Sequence, residues 1–183
     1  MTRNVVLYEL MSLDGVAEEP GEGNWFVDAD ERLMDNLTQV VARQDTVLLG
    51  RRTYEKWVPY WPTATMQPFA DFINTTPKIL FSATAPGDAW SATTHVTAPA
   101  AGYVADLKRR AGGDIGIHGS ITLARSLLRE NLVDELRLVV APSLAGRGRR
   151  LFDDDGDLRR FSLVDADRSG GCLLLHYSRN YEA

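Results

Sequence analysis

Twice along this chain a short apolar run of strand character stops at a glycine and a helical stretch begins at once. No other feature narrows the choice of fold as much. Thr46-Val47-Leu48-Leu49 ends at Gly50, and Arg51 to Trp57 reads as a helix start; Asp114 to His118 ends at Gly119-Ser120, after which Leu123, Leu127 and Leu128 share one helical face. Strands that feed helices through tight turns build a parallel sheet with helices packed on it. Val5 to Met11 agrees, being a mostly apolar run suited to a strand buried on both faces. Further strands are expected at Pro77 to Ser82, within Trp90 to Val96, and at Val133 to Pro142. Helices are expected from a cap at Asp28 or Asp30 to about Arg43, at Phe69 to Asn74, and at Tyr103 to Ala111. Two late strands, Phe161 to Val164 and Cys172 to Tyr177, flank Gly170-Gly171 and read as an antiparallel hairpin. The expectation is an α/β fold with a mostly parallel sheet finished by that hairpin.

The two glycine junctions also carry the chemistry. A helix start leaves backbone N–H groups unpaired and sits at the positive end of the helix dipole, so it suits an anion. Gly50-Arg51-Arg52-Thr53 adds two guanidinium groups and a hydroxyl, and Gly119-Ser120-Ile121-Thr122 adds two hydroxyls. If the junctions end neighbouring parallel strands, they face one crevice, and a dinucleotide pyrophosphate bridging them is the economical occupant. Each glycine taken alone is also plain turn geometry. The chain contains neither a GxGxxG fingerprint nor a P-loop.

Charge makes that placement matter. The chain has 20 Lys+Arg against 25 Asp+Glu, a formal charge of -5, which argues against coating nucleic acid or an anionic membrane. Any bound phosphate must be held locally. A length of 183 residues is about 1.2 times the usual ~150-residue domain, so residues 1–183 read as one domain. The single Cys172 excludes an intramolecular disulfide, and no apolar segment has the length of a signal peptide or membrane span. A soluble, cytoplasmic protein is expected. No metal ligand set stands out: His95 and His176 are isolated, and Asp153-Asp154-Asp155 with Asp157 reads as a solvated turn.

Four motifs in order, Ser12-Leu13-Asp14-Gly15, Leu48 to Glu55, Gly113 to Ser120, and Leu132 to Pro142 followed by Gly146-Arg147-Gly148, resemble the dihydrofolate reductase-like superfamily. More closely, the chain resembles the stand-alone branch related to the reductase domain of the riboflavin-biosynthesis deaminase-reductase, the RibD C-terminal domain. That resemblance spans about Val5 to Tyr177. It implies a three-layer fold with a central eight-stranded sheet and NADPH as cofactor across the carboxyl edge. By carry-over, Gly50, Arg51, Arg52 and Thr53 would hold phosphate at one helix start, with an arginine near the 2′-phosphate. Gly119, Ser120, Ile121 and Thr122 would contact the pyrophosphate at the other, with His118 just before them. Ser82 and Thr84 would lie beside the adenosine. Leu10 to Ala17 would line the nicotinamide, with Asp14 in the loop over it.

The implied activity is NADPH-dependent reduction, at CH–NH or C=O/C=N groups, of a small planar heterocyclic or carbonyl substrate, by a homodimer that binds neither nucleic acid nor membrane. Two alternatives stand beside it: a nucleotide-binding protein without turnover, and 5-amino-6-(5-phosphoribosylamino)uracil reductase. Against the latter, Tyr8 and Val16 occupy positions flanking Ser12 to Gly15 where the riboflavin reductase domain carries basic residues. Hydride transfer needs little beyond placement and a proton. Asp28 is the first candidate acid, although it equally suits a helix cap. Glu9 is the second, because a carboxylate within an apolar strand is costly to bury unpaired. His118 reads as a hydrogen-bonded structural histidine beside the glycine loop. Trp25, Trp57, Tyr60 and Trp61 either wall a planar substrate or pack a lid.

Overall fold

A computed structural model of the chain describes residues 3–26, 29–152 and 157–180. Its strands are β1 (Val5–Ser12), β2 (Gln44–Gly50), β3 (Lys78–Phe81), β4 (Thr93–Val96), β5 (Asp114–His118), β6 (Glu135–Ala141), β7 (Phe161–Ser169) and β8 (Cys172–Arg179). They form one sheet in the order β4-β3-β2-β5-β1-β6-β8-β7. The pairings from β4 across to β6 are parallel, and β8 runs antiparallel to both β6 and β7. The mostly parallel α/β sheet ending in an antiparallel hairpin is therefore present.

Side-chain alternation decides which face each helix covers. Val6 and Tyr8 of β1, with Val47 and Leu49 of β2, pack under α1 (Glu31–Val41), α2 (Arg51–Trp57) and α3 (Phe69–Thr75). Val5 and Leu7, with Leu48, Ile115 and Ile117, pack under α4 (Ala100–Lys108) and α5 (Ile121–Arg129) on the opposite face. These central strands are apolar on both sides because both sides are covered. Helix α1 starts where Asp30 Oδ1 accepts the Leu33 N–H at 3.0 Å, and it buries Leu33, Leu37, Val40 and Val41. Asp30 is thus the cap; Asp28 lies outside the described residues.

Two boundaries differ from the sequence reading. Helix α4 begins at Ala100 rather than Tyr103 and ends at Lys108, because Pro99 fixes the backbone just ahead of the first turn. Strand β7 continues to Ser169 through Asp165, Asp167 and Arg168, all paired with β8. An edge strand exposes one side to water, so charge there does not end it. Lys78, which opens β3, is 1% exposed; its ammonium donates to the carbonyls of Ile73 (2.7 Å) and Thr76 (2.9 Å) and lies over the Trp90 ring. It closes the C-terminal end of α3. No helix among the described residues is long and apolar enough to cross a membrane.

Candidate functional site

The chain leaves β1 toward β2 on one side of the sheet, returns to place β5 between them, and then crosses β1 to build β6 on the other side. Such a reversal opens a crevice at the carboxyl ends of the strands. Register locates it. Pairing of β1 with β5 stops at Tyr8↔His118, while β1 stays paired with β6 from Val6 to Ser12, so β1 runs on past β5, with Leu10 and Met11 half-buried there. Gly50 is the last residue of β2, and Ser82 and Gly119 follow the carboxyl ends of the adjacent strands β3 and β5 on either side of it. Gly50, Ser82 and Gly119 therefore lie along one edge of the sheet.

The two glycine junctions brace each other. The Gly50 N–H donates to Ser120 Oγ at 3.0 Å, and the Ser120 N–H donates to Thr53 Oγ1 at 2.9 Å. Each hydroxyl accepts in these bonds, so each keeps its own O–H to donate. Gly119 (φ +60°) and Ser120 (φ +56°) take left-handed backbone conformations, and a Cβ on Gly119 would press on Thr53 and Trp57 at 3.4 Å. Because Ser120 Oγ is engaged with Gly50, it does not cap α5, and the first N–H groups of that helix stay open. Arg51 and Arg52 are exposed, with Arg51 3.7 Å from Glu55 one turn on. Beyond β3, Ser82 Oγ donates to the Thr84 carbonyl at 2.7 Å in an exposed turn.

Asp14 lies in the turn after β1. Its carboxylate accepts from Ser12 Oγ (2.6 Å) and from the N–H groups of Ala145 and Gly146 (both 2.9 Å), which hold it ionised down to about 2. It is a strut between the turn after β1 and the loop after β6. The strut continues at Val16, bridged to Arg150, and at Gly148 (φ +112°), where a Cβ would meet Val16 at 2.8 Å. Arg149 in that loop donates to Glu18 Oε1 at 2.7 Å and to Thr122 Oγ1, in the first turn of α5, at 3.3 Å. Sequence reading missed Arg149 and Glu18, which are 131 positions apart. Leu10 is half-buried where β1 runs past β5, and Ala17 is buried beneath the strut.

His118 turns away from the edge. Its imidazole is packed against Phe69, Phe72 and Tyr8, and its Nε2 lies 2.7 Å from Gln44 Oε1. Burial lowers its pKa to about 3, so it stays neutral. Gln44 reaches it by passing over Gly116, where a Cβ would sit 2.1 Å from the amide oxygen. Only the backbone of His118 is available to the crevice, as the structural reading requires. Glu9 is 5% exposed, on the α4/α5 side with Leu7 and Met11. Its Oε2 is buried with no hydrogen-bond partner among the described residues, and burial raises the carboxyl to about 8. Trp61 is buried edge-on to Trp57 and Phe69, whereas Tyr60 stands exposed, so the aromatic group serves as packing at Trp61 and leaves Tyr60 to solvent. No group of three or more His, Cys, Asp or Glu residues able to hold a metal ion occurs among the described residues.

Residues 3–175 match the RibD C-terminal domain family. Two Bacillus subtilis (strain 168) proteins, YwjB and YyaP, are 29% and 30% identical to the chain; the matches cover 98% and 97% of it and 99% and 96% of those proteins. Among solved structures, a candidate riboflavin biosynthesis protein from Shewanella sp. PV-4 superposes with TM-score 0.78 at 20% identity, covering 98% of this chain and 99% of that one. A pyrimidine reductase-like protein from Corynebacterium diphtheriae gives 0.70 at 17%, covering 98% and 93%. The Thermotoga maritima diaminohydroxyphosphoribosylaminopyrimidine deaminase/5-amino-6-(5-phosphoribosylamino)uracil reductase gives 0.69 at 16%, covering 98% of this chain and 57% of its own. At these identities the likeness establishes the fold.

Proposed function

Since the chain belongs to the RibD C-terminal domain family, whose reductase members suggest the chemistry, we propose that it is an NADPH-dependent reductase of a small, planar, uncharged substrate. The observation that carries this reading is the braced pair of junctions at the ends of β2 and β5, where Ser120 Oγ and Thr53 Oγ1 each accept a backbone N–H and so each keep an O–H to donate. The residues present fit a dinucleotide phosphate. Thr53, Ser120 and the open N–H groups of α5 would hold the pyrophosphate, and Arg51 and Arg52 would neutralise the 2′-phosphate through forked contacts. Bound reduced nicotinamide supplies a hydride.

The chain's own part is to place the acceptor beside Leu10 and Met11, exclude water there, and deliver a proton. Glu9 retains a proton at neutral pH because burial keeps it uncharged. Asp28, outside the described residues, is the other donor. Tyr8 and Val16 are both buried in apolar surroundings, and these two positions alone speak against a ribose phosphate, while Arg150 Nε donates to the Asp14 carbonyl at 2.9 Å in the same turn. The edge strand β7, with Leu163 and Val164 each 55% exposed, supports the homodimer as a further part of the proposal. The activity is tested by following NADPH absorbance with pterins, flavins, quinones and the uracil ribose phosphate as acceptors. Oxidation with an uncharged planar acceptor is expected; binding without oxidation of NADPH by any of them would leave a nucleotide-binding protein without turnover.

A further inference from the structure

Two cations, one in the loop after β6 and one on α2, already have anionic partners, and both partners come from one loop. Arg149 extends from the loop after β6 to Thr122 in the first turn of α5. Glu18 takes its side chain and its backbone together: Oε1 accepts from Arg149 Nε at 2.7 Å and Oε2 from the Arg149 N–H at 3.1 Å. Lys56 stands one turn beyond Arg52 on α2 and is paired with Glu19. Glu18 and Glu19 are consecutive, so one loop lays a carboxylate on each cation. The loop is itself held, since Trp25 Nε1 donates to the Glu18 carbonyl at 3.1 Å and the Gly23 N–H donates to the Glu19 carbonyl at 2.8 Å. Glu19 takes φ +50°, a conformation that side chains other than glycine and asparagine rarely adopt.

A carboxylate offers a guanidinium the same pair of acceptor oxygens that a phosphate does. We propose that Arg149 and Lys56 are phosphate-binding cations paired with Glu18 and Glu19, and that a bound dinucleotide displaces those carboxylates. The proposal rests on the cofactor reading above. The pairs suit exchange because they are partly solvated: the side chains are 34% and 30% exposed for Arg149 and Glu18, and 53% and 39% for Lys56 and Glu19. Exposed pairs of this kind are weak and easily replaced. A ligand with two phosphates can engage both cations at once, whereas a monophosphate repays only one displaced carboxylate. The loop thereby discriminates for a bridging diphosphate.

The opposing view, that these ion pairs only pin the loop, predicts the reverse response to removing charge. NADPH and inorganic pyrophosphate are titrated against wild type, Glu18→Gln, Glu19→Gln, the double variant, Arg149→Met and Lys56→Met, with thermal melts to confirm folding. Displacement requires each carboxamide variant to bind NADPH about threefold tighter and the double variant about tenfold tighter, because competing ion pairs of this exposure are worth that much. Arg149→Met and Lys56→Met should each bind several-fold weaker. If wild type binds NADPH and the folded carboxamide variants bind it equally or more weakly, the displacement proposal is overturned and the cofactor reading stands. If no variant binds NADPH or pyrophosphate, the double variant included, both are overturned.

Discussion

The buried carboxyl of Glu9 gives a stability test that owes nothing to the choice of substrate. Burial holds this group at about 8 instead of 4.5. The folded chain therefore keeps the Glu9 proton between those values, whereas the unfolded chain has released it. Unfolding then sheds a proton, so stability falls as pH rises from about 4.5 to about 8 and is flat on either side. At roughly 1.4 kcal/mol per pH unit, the interval corresponds to a ceiling of about 5 kcal/mol, a large share of the ~5–15 kcal/mol that holds a typical domain together. Glu9→Gln keeps the shape and removes the titration. Urea unfolding of both proteins at pH 5, 7 and 9 reads the effect. The wild type should lose ground to the variant steadily over this range, with Glu9→Gln the more stable above pH 8. Parallel stability curves would refute the assignment of Glu9 as a buried neutral acid.

Other expectations follow from single features. Arg51→Ala with Arg52→Ala should weaken NADPH far more than NADH in a paired titration; equal losses would remove both arginines from the 2′-phosphate. Gly116→Ala should destabilise the fold by about 1–3 kcal/mol in chemical denaturation, because its Cβ would fall 2.1 Å from Gln44 Oε1 and force the amide off His118. A variant as stable as wild type would show that Gln44 relaxes freely. Light scattering should find a dimer, and Val164→Lys, on the exposed part of β7, should shift it toward monomer; an unchanged mass would place the contact elsewhere.

The strand, glycine, helix junctions were legible because each is written in consecutive residues. Asp114–His118 appears with the boundaries the apolar run suggests, and Leu123, Leu127 and Leu128 are buried on one side of α5. What the sequence conceals are relations across space. Nothing local says that Ser120 accepts from Gly50 while donating to Thr53, 70 and 67 positions away. Asp14 looks like a loop residue over a ligand, and becomes a strut only once the loop after β6 supplies two N–H groups to it. Arg149 is one of three arginines between Gly146 and Arg150, and its reach to Thr122 depends on how β1 and β6 are aligned. His118 and Lys78 are polar residues that the packing of α3 takes into the interior, where Gln44 and two carbonyls satisfy them.

The claim on which the account turns is that the braced edge of β2 and β5 binds a dinucleotide phosphate. Calorimetric titration of NADPH into wild type and Thr53→Val measures it directly. Wild type should bind one NADPH per chain saturably, and a folded Thr53→Val should bind it about tenfold more weakly, having lost one hydroxyl donor and the acceptor that fixes Ser120. An absence of binding to wild type, or equal affinity in the two proteins, would contradict that claim.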